Sequence, residues 1–321
     1  MQELKRILSA EQPNINRALG CLTAELPQAA RPVAEHLFAA GGKRLRPLLT
    51  LLTGRAFGCR DKGLYTMGAA IEMLHAATLL HDDILDDAAT RRGQPTAHTL
   101  YGTAKVILAG DALLAKALLT VSAFGDTRLT ASVSEAVMRT AVGEIAEFDI
   151  LRDTGVSHQN YLEVVTGKTA WMLRASCELG ALLAGVDEPL ARAAADFGLE
   201  LGVAFQMVDD ALDFAPAETT GKPRGGDLRE GKMTPPLLSY LASLSDDEAR
   251  AFRAAFAEGA FSDEAVEAVS AAVVAGGHAR RARDIAEEHL DRAAAALALF
   301  PESDERVVLR QLLGYIQHRE H

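Results

Sequence analysis

Two aspartate clusters stand out in this 321-residue chain, HDDILDD at residues 81–87 and QMVDDALDF at 206–214. Both contain DDxxD, and both sit in apolar sequence, where a carboxylate is costly unless something positive accompanies it. On a helix, residues i and i+4 share a face, so Asp82 and Asp86 point the same way, as do Asp209 and Asp213. Two such carboxylate walls facing each other repel when empty. Mg2+ and a diphosphate would turn them into a strong site, because Mg2+ takes a few carboxylates together with phosphate oxygens.

Further polar residues extend both clusters. His75, Thr78, Asp82 and Asp86 are spaced as one helical stripe, and Gln206, Asp210 and Asp213 make another with Asp209 beside it. Arg91 and Arg92 follow the first cluster directly, and guanidinium groups grip phosphate in bidentate fashion. GGKRLRP at 41–47 offers backbone N–H groups, a helix start and three cations to an anion. TGKTA at 166–170 places Lys168 and Thr169 in otherwise apolar helix, where the lysine needs a partner that a diphosphate would supply. KPRGGDLREGK at 222–232 is a basic, glycine-rich stretch after the second cluster and reads as a lid over a metal–phosphate site. Of the two histidines near the first cluster, His75 shares the stripe and reads as functional, His81 as structural. No Ser/His/Asp or Cys/His nucleophile set and no zinc-ligand spacing is present.

The elements that must position these groups are helices. Ala- and Leu-rich patterning is nearly continuous, with breaks at 41–42, 58–62, 92–95, 125–126, 153–156 and 186–189, and one long irregular stretch at 215–233. No linker tract or internal repeat divides the chain. The expectation is all-α: a single-domain helical bundle over 1–321 with its site in a central cavity between helices, and a carboxyl third from 243 onward that is scaffold. A net charge of −11 argues against nucleic acid as the main partner. Three cysteines without a CxxC pair suit inert, buried thiols in a reducing cytoplasm. The amino terminus does not read as a signal peptide, and the most apolar stretch, 106–121, is interrupted by Asp111 and Lys116. A cytoplasmic enzyme is expected.

Taken together and in order, GGKRLRP, LLHDDILDD, RRGQP, GKT, FQMVDDALDF and KxxGxDLxEGK resemble the trans (all-E) isoprenyl diphosphate synthases. The likeness runs from about residue 16 to 316 and is strongest to the bacterial long-chain octaprenyl branch. It implies that Lys43, Arg46, His75 and Arg92 bind isopentenyl diphosphate. Asp82, Asp86 and Asp209 would hold Mg2+, three ions per site with substrate bound. Arg91, Lys168, Thr169, Gln206, Lys222 and Lys232 would contact the allylic diphosphate, with Lys168, Thr169 and Gln206 facing the developing allyl cation. It also implies a homodimer, which an apolar surface on 106–121 would suit, and possible peripheral membrane contact at product release.

The implied chemistry is stepwise. Stabilising the departing diphosphate lets the allylic C–O bond ionise. The cation is attacked by the double bond of isopentenyl diphosphate, and loss of a proton restores an alkene one isoprene unit longer. Water must be excluded, or the cation is quenched to an alcohol. Product length would be set below the first carboxylates. Ala77 and Thr78 lie about one turn below Asp82 at roughly 1.5 Å per residue and are small, so the tunnel should continue to a deeper floor at Leu74, Val121 or Phe124.

This chain departs from the family's pattern at three places: Glu147 stands where Gln is usual, Pro235 where Leu is usual, and the carboxyl end lacks paired basic residues. The competing readings are a short-chain farnesyl or geranylgeranyl synthase, a class I terpene cyclase and a non-catalytic regulatory subunit. The cyclase would replace the second DDxxD, and the subunit would lose carboxylates or the basic loop.

Overall fold

The structure, a computed structural model, describes residues 2–216 and 224–319. These are almost wholly helical, as the patterning requires. The elements are α1 (Gln2–Ala24), α2 (Arg31–Ala39), α3 (Leu45–Ala56), α4 (Gly63–Leu85), β1 (Thr90–Arg91), β2 (Gln94–Pro95), α5 (Ala97–Tyr101), α6 (Thr103–Ser122), α7 (Thr127–Asp149) and α8 (His158–Val165). A π-helical turn, Thr166–Ala170, leads into α9 (Trp171–Leu183), followed by α10 (Glu188–Leu212), α11 (Gly226–Glu230), α12 (Pro235–Leu241), α13 (Asp246–Glu258), α14 (Asp263–Ala275), α15 (His278–Leu297) and α16 (Asp304–Gln317). Contacts cluster into two units, Met1–Val137 with Met172–Ala195 and Leu299–Leu309, and Met138–Trp171 with Asp196–Ala298 and Arg310–His321.

In the first unit, α4 is the central helix and packs on α1, α3 and, most extensively, α6. Leu64, Met67, Ile71, Met73, Leu74 and Leu80 are all buried, together with Ala69, Ala70, Ala76 and Ala77. A helix apolar on every side belongs inside the core, and each such large side chain contributes about 1.5–3 kcal/mol by leaving water. Small residues set the packing distances. A Cβ at Gly68 would lie 2.9 Å from the Pro47 Cα, and one at Gly110 would lie 2.3 Å from His81 Nε2. His81 meets Ile107 near the start of α6, while Phe124, just past its end, meets Gly63 at the start of α4, so the two helices run antiparallel.

The break at 92–95 is a hairpin rather than a plain loop. Thr90 pairs with Pro95 and Arg91 with Gln94, and the two turn residues, Arg92 (φ 52°) and Gly93 (φ 74°), both take positive φ. That is the geometry of a turn whose twist matches the paired strands.

In the second unit, three glycines bring backbones together around the π turn. A Cβ at Gly143 on α7 would lie 2.4 Å from the Lys168 N, and one at Gly167 2.7 Å from the Gly143 Cα. A Cβ at Gly202 on α10 would lie 2.6 Å from the Ala170 Cα. Any side chain at these positions would push α7 or α10 off the turn. A separate core of Val156, Phe214, Leu228, Met233, Leu237, Phe252 and Phe256 holds the segment after the second aspartate cluster. Among the described residues, the stretch read as irregular contains a helix, α11, and Asp213 starts it. Its carboxylate accepts from the Gly226 and Asp227 N–H groups at 3.1 and 3.0 Å. Pro235 is the first residue of α12, a position where proline's missing N–H costs nothing. Cys177 is buried, but Cys21 is exposed and Cys59 half-buried, contrary to the expectation of buried thiols. Among the described residues no helix is long and apolar enough to cross a membrane.

Candidate active site

Around His75 the structure gathers cations. Arg44, with left-handed backbone (φ 51°), is buried, and its Nη1 donates to Glu72 Oε1 at 3.0 Å. Its other nitrogens donate to Asn16 Oδ1 and the Phe38 carbonyl, so it is a fixed structural strut. Arg91 Nε donates to Asp83 Oδ1 at 2.7 Å, which consumes the buried aspartate that lies off the Asp82–Asp86 face. Arg92 Nη1 donates to the Gly41 carbonyl, tying the hairpin to the glycine pair that opens α3. Arg46 is half-buried, and its buried Nε has no hydrogen-bond partner. Among the described residues neither Arg46 nor Arg92 forms an ion pair.

His75 records this surplus. Burial, and then the charges of Arg46, Arg91, Arg92 and Arg44, hold its imidazole well below the usual histidine range, so it is neutral. Lys43 is exposed in the same loop. The motif at 41–47 and the hairpin arginines, far apart in sequence, thus act on one histidine. Asp82 is half-buried near the end of α4 and Asp86 caps it, the Asp86 N–H still reaching the Asp82 carbonyl at 2.8 Å. The two remain one turn apart on one face. His81 Nε2 lies 3.1 Å from the Ile107 carbonyl and 3.8 Å from Asp111, a helix-to-helix contact, as expected.

Below this level Thr78 Oγ1 donates to its own helix at the His75 carbonyl, 2.9 Å away. Ala77, Leu74 and Val121 are buried, and Phe124 is half-buried. Leu74 is eight residues below Asp82, about 12 Å along α4, whereas Phe124 meets Gly63, about 28 Å below. The residues named as a floor thus lie at different depths.

The second unit holds a pocket of about 640 Å3, including its open mouth, lined by Glu147, Tyr161, Lys168, Thr169, Gln206, Asp210, Asp227 and Lys232 among others. Here the surplus is negative. Lys168 Nζ donates to Glu144 Oε1 at 3.0 Å and also to Glu147. Lys232 Nζ is 2.7 Å from Glu230 Oε2 and 3.9 Å from Glu147 Oε1. The buried lysine that was expected to await a diphosphate already has two glutamates. Burial would lower both lysines, but Glu147 and the other carboxylates outweigh it and raise them.

Thr169 Oγ1 donates to Gln206 Oε1 at 3.0 Å, and Gln206 Nε2 donates to Asp210 Oδ1 at 2.8 Å. Tyr161 closes the chain, its hydroxyl donating to Asp210 Oδ2 at 2.5 Å. Burial, with Asp209 and Asp213 nearby, pushes the Asp210 carboxyl up to about 7 against these hydrogen bonds. Asp227 is raised further by burial and by Asp210 and Asp213, and its Oδ2 is buried without a partner. Asp213 is committed to α11 rather than to a free stripe. Asp209 pairs with Arg319, which also lies over the Phe205 ring at 5.2 Å. The carboxyl third is therefore more than scaffold: its last described residue reaches the second aspartate cluster. Lys222 lies outside the described residues.

A buried carboxylate with an orphaned oxygen, beside another raised by burial and then by neighbouring aspartates, is a set of hard oxygen donors short of positive charge. That fits Mg2+, although among the described residues no three His, Cys, Asp or Glu side chains are gathered as a finished metal cluster. Mg2+ ordinarily completes its shell with water and substrate phosphate, so an unfinished protein set is the form such a site takes.

Sequence reasoning missed Glu72, Glu144, Tyr161, Asp227 and Arg319 as parts of these networks. Glu147 stood out only by residue type, and Tyr161 precedes Lys168 by seven residues with nothing in its neighbours to mark it.

Comparison with known proteins agrees with this chemistry. The polyprenyl synthetase model matches residues 27–273. The chain is 33% identical over 311 residues to octaprenyl diphosphate synthase of Escherichia coli (strain K12), covering 96% of each. It is 32% identical over 327 residues to the short chain isoprenyl diphosphate synthase of Methanothermobacter thermautotrophicus, covering 100% of this chain and 99% of that one. Among solved structures, polyprenyl synthase from Caulobacter crescentus CB15, complexed with calcium and isoprenyl diphosphate, superposes with a TM-score of 0.93 at 36% identity, covering 100% of this chain and 98% of that one. The carboxylate and cation sets built by these helices are thus those of a chain that belongs to the polyprenyl synthetase family and is a trans-prenyltransferase.

Proposed function

We propose that this enzyme elongates an allylic diphosphate, farnesyl diphosphate as primer, by successive condensation with isopentenyl diphosphate to a long-chain all-trans polyprenyl diphosphate of octaprenyl length. The observation that carries the reading is the set of four arginines around His75, of which Arg44 and Arg91 are paired with carboxylates while Arg46 and Arg92 form no ion pair among the described residues, a group short of one multiply charged anion. Lys43, Arg46, His75 and Arg92 are the residues assigned to the isopentenyl diphosphate. Arg91, Lys168, Thr169, Gln206, Lys222 and Lys232 are assigned to the allylic diphosphate, with Lys168, Thr169 and Gln206 nearest the reacting carbon.

Asp82, Asp86 and Asp209 are the carboxylates that would hold Mg2+, which supplies charge neutralisation to the leaving diphosphate. The chain's own groups do the rest. Arg46 and Arg92 orient the isopentenyl diphosphate, whose double bond attacks. Lys168 and Lys232 exchange glutamate for diphosphate oxygens. The Thr169 hydroxyl and the Gln206 carboxamide present dipoles that need no reorganisation as positive charge develops. The released diphosphate is the base for the departing proton.

The small Ala77, one turn below the carboxylates, supports a long product, as does the octaprenyl relative. A relative of nearly equal identity, 32% against 33%, is a short chain isoprenyl diphosphate synthase, which keeps a geranylgeranyl-length product as the second reading. The reading further takes 1–321 as one functional domain and a homodimer as the working form, to which Leu108 and Leu119 on α6, both about two-thirds exposed, would contribute. It assigns the enzyme to the cytoplasm, with peripheral membrane contact at product release. Product analysis by mass spectrometry after incubation with farnesyl diphosphate, isopentenyl diphosphate and Mg2+ tests it. A ladder ending near octaprenyl length is expected. Termination at geranylgeranyl length overturns the tunnel assignment alone, and no elongation overturns the whole reading.

A further inference from the structure

Tyr161 stands four residues before the end of α8 and is 4% exposed. It belongs to no motif read from the sequence, yet its hydroxyl ends the only chain of side-chain hydrogen bonds described that runs through both Thr169 and Gln206. The chemistry of the links fixes their direction. With Tyr161 donating to Oδ2 and the Gln206 amide nitrogen 2.8 Å from Oδ1, Asp210 accepts on both oxygens, and the Gln206 carbonyl oxygen is left facing Thr169. The Thr169 hydroxyl must then donate to that oxygen. A glutamine amide has two nearly isosteric orientations, and here a carboxylate chooses between them.

The carboxylate itself needs holding. Asp210 is 7% exposed, and its two oxygens are divided between Gln206 Nε2 and the Tyr161 hydroxyl. Without the phenol, Oδ2 would be a buried acceptor with nothing to bind, and rotation about the Asp210 side chain would be the way to relieve it. Rotation would release the Gln206 amide to turn its positive NH2 edge toward Thr169 and the pocket they share.

We propose that Tyr161 is a positioning residue for prenyl transfer: through Asp210 it locks the Gln206 carboxamide with its oxygen toward Thr169. This rests on the prenyl-transfer reading, in which those two groups face developing positive charge. The Tyr161 hydroxyl is committed to Asp210 Oδ2, so its effect is expected on the step in which charge forms rather than on binding.

The test is a double-mutant cycle between Tyr161→Phe and Gln206→Ala, read as kcat and KM for each diphosphate. Turnover by the unmodified enzyme tests the underlying reading separately, before any variant is made. In Tyr161→Phe, kcat is expected to fall about tenfold, the scale of one lost hydrogen bond at a transition state, with both KM values within about threefold. In the Gln206→Ala background the same change is expected to cost nothing further, because the group it positions is gone. An equal loss in both backgrounds, or a loss confined to KM, overturns the proposal. If thermal melting shows Tyr161→Phe unfolded, Asp210→Asn replaces it in the cycle: it keeps the shape but has one acceptor oxygen, so Gln206 and Tyr161 can no longer each donate to an oxygen of their own. Non-additivity with Gln206→Ala is again expected, and full additivity again overturns the inference.

Discussion

Among the described residues, the unbalanced charge around His75 is positive, with Arg46 and Arg92 lacking a carboxylate, whereas around Gln206 it is negative, with Lys168 and Lys232 already held by glutamates and Asp227 left with an orphaned oxygen. Both regions belong to an enzyme of diphosphates, yet they are prepared for opposite partners. The first can take an anion as it stands. The second must gain cations before an anion profits from being there, since its two lysines sit among Glu144, Glu147, Asp210, Asp227 and Glu230. The difference gives an order of dependence: isopentenyl diphosphate binding should be nearly metal-independent, and allylic diphosphate binding should not.

The most severe way to break that contrast is to withdraw the metal. Chelation is expected to abolish turnover while calorimetry still shows isopentenyl diphosphate binding, and Asp209→Ala should lower kcat by about 10³-fold. Equal loss of both diphosphates on chelation would mean that the two regions do not differ in this way. Next in size, Arg46→Met removes a cation with no carboxylate partner. The KM for isopentenyl diphosphate should rise about 10- to 100-fold, with the allylic KM steady, because a charge-assisted contact is lost on one side only.

A smaller effect sharpens the other side. Glu147→Gln keeps the shape but frees Lys168 and Lys232 from a competing charge, so the allylic KM should fall about threefold and the isopentenyl KM stay put. A rise in allylic KM would show that Glu147 holds the lysines in place for substrate instead of competing with it. The subtlest test is pH. His75 has a folded pKa below its unfolded value, so the unfolded chain binds the extra proton first, and the stability His75 contributes above pH 6.5 is lost as pH falls below it. A bound diphosphate would offset the arginine charges and draw that pKa upward. Inorganic diphosphate binding near pH 6 should then take up protons, seen as a buffer-dependent binding heat that His75→Gln abolishes.

The all-α fold and the helix faces of the aspartates were legible in the sequence, because a DDxxD in apolar helix leaves few arrangements that do not cost solvation. The family was legible too, since its motifs recur in order along nearly the whole chain. What could not be read was how the charges had been divided. Arg44 and Arg91 look identical to Arg46 and Arg92 in sequence. Two of them are consumed by Glu72 and Asp83 on α4, Glu72 brought to Arg44 by long-range packing and Asp83 to Arg91 by the hairpin folding back on that helix. Asp213 matched the stripe by spacing but is bonded to N–H groups of α11.

The sequence by itself determined the inventory: carboxylates at helical spacing, cations clustered behind glycines, small residues below the first aspartates, and the family these compose. Tertiary structure decided which of those groups remain available. Glycines at 143, 167 and 202 let backbones approach so closely that Lys168 meets Glu147 and Thr169 meets Gln206. An ion pair or a hydrogen bond depends on distances of about 3 Å between residues far apart in the chain, and spacing along one helix says nothing about them.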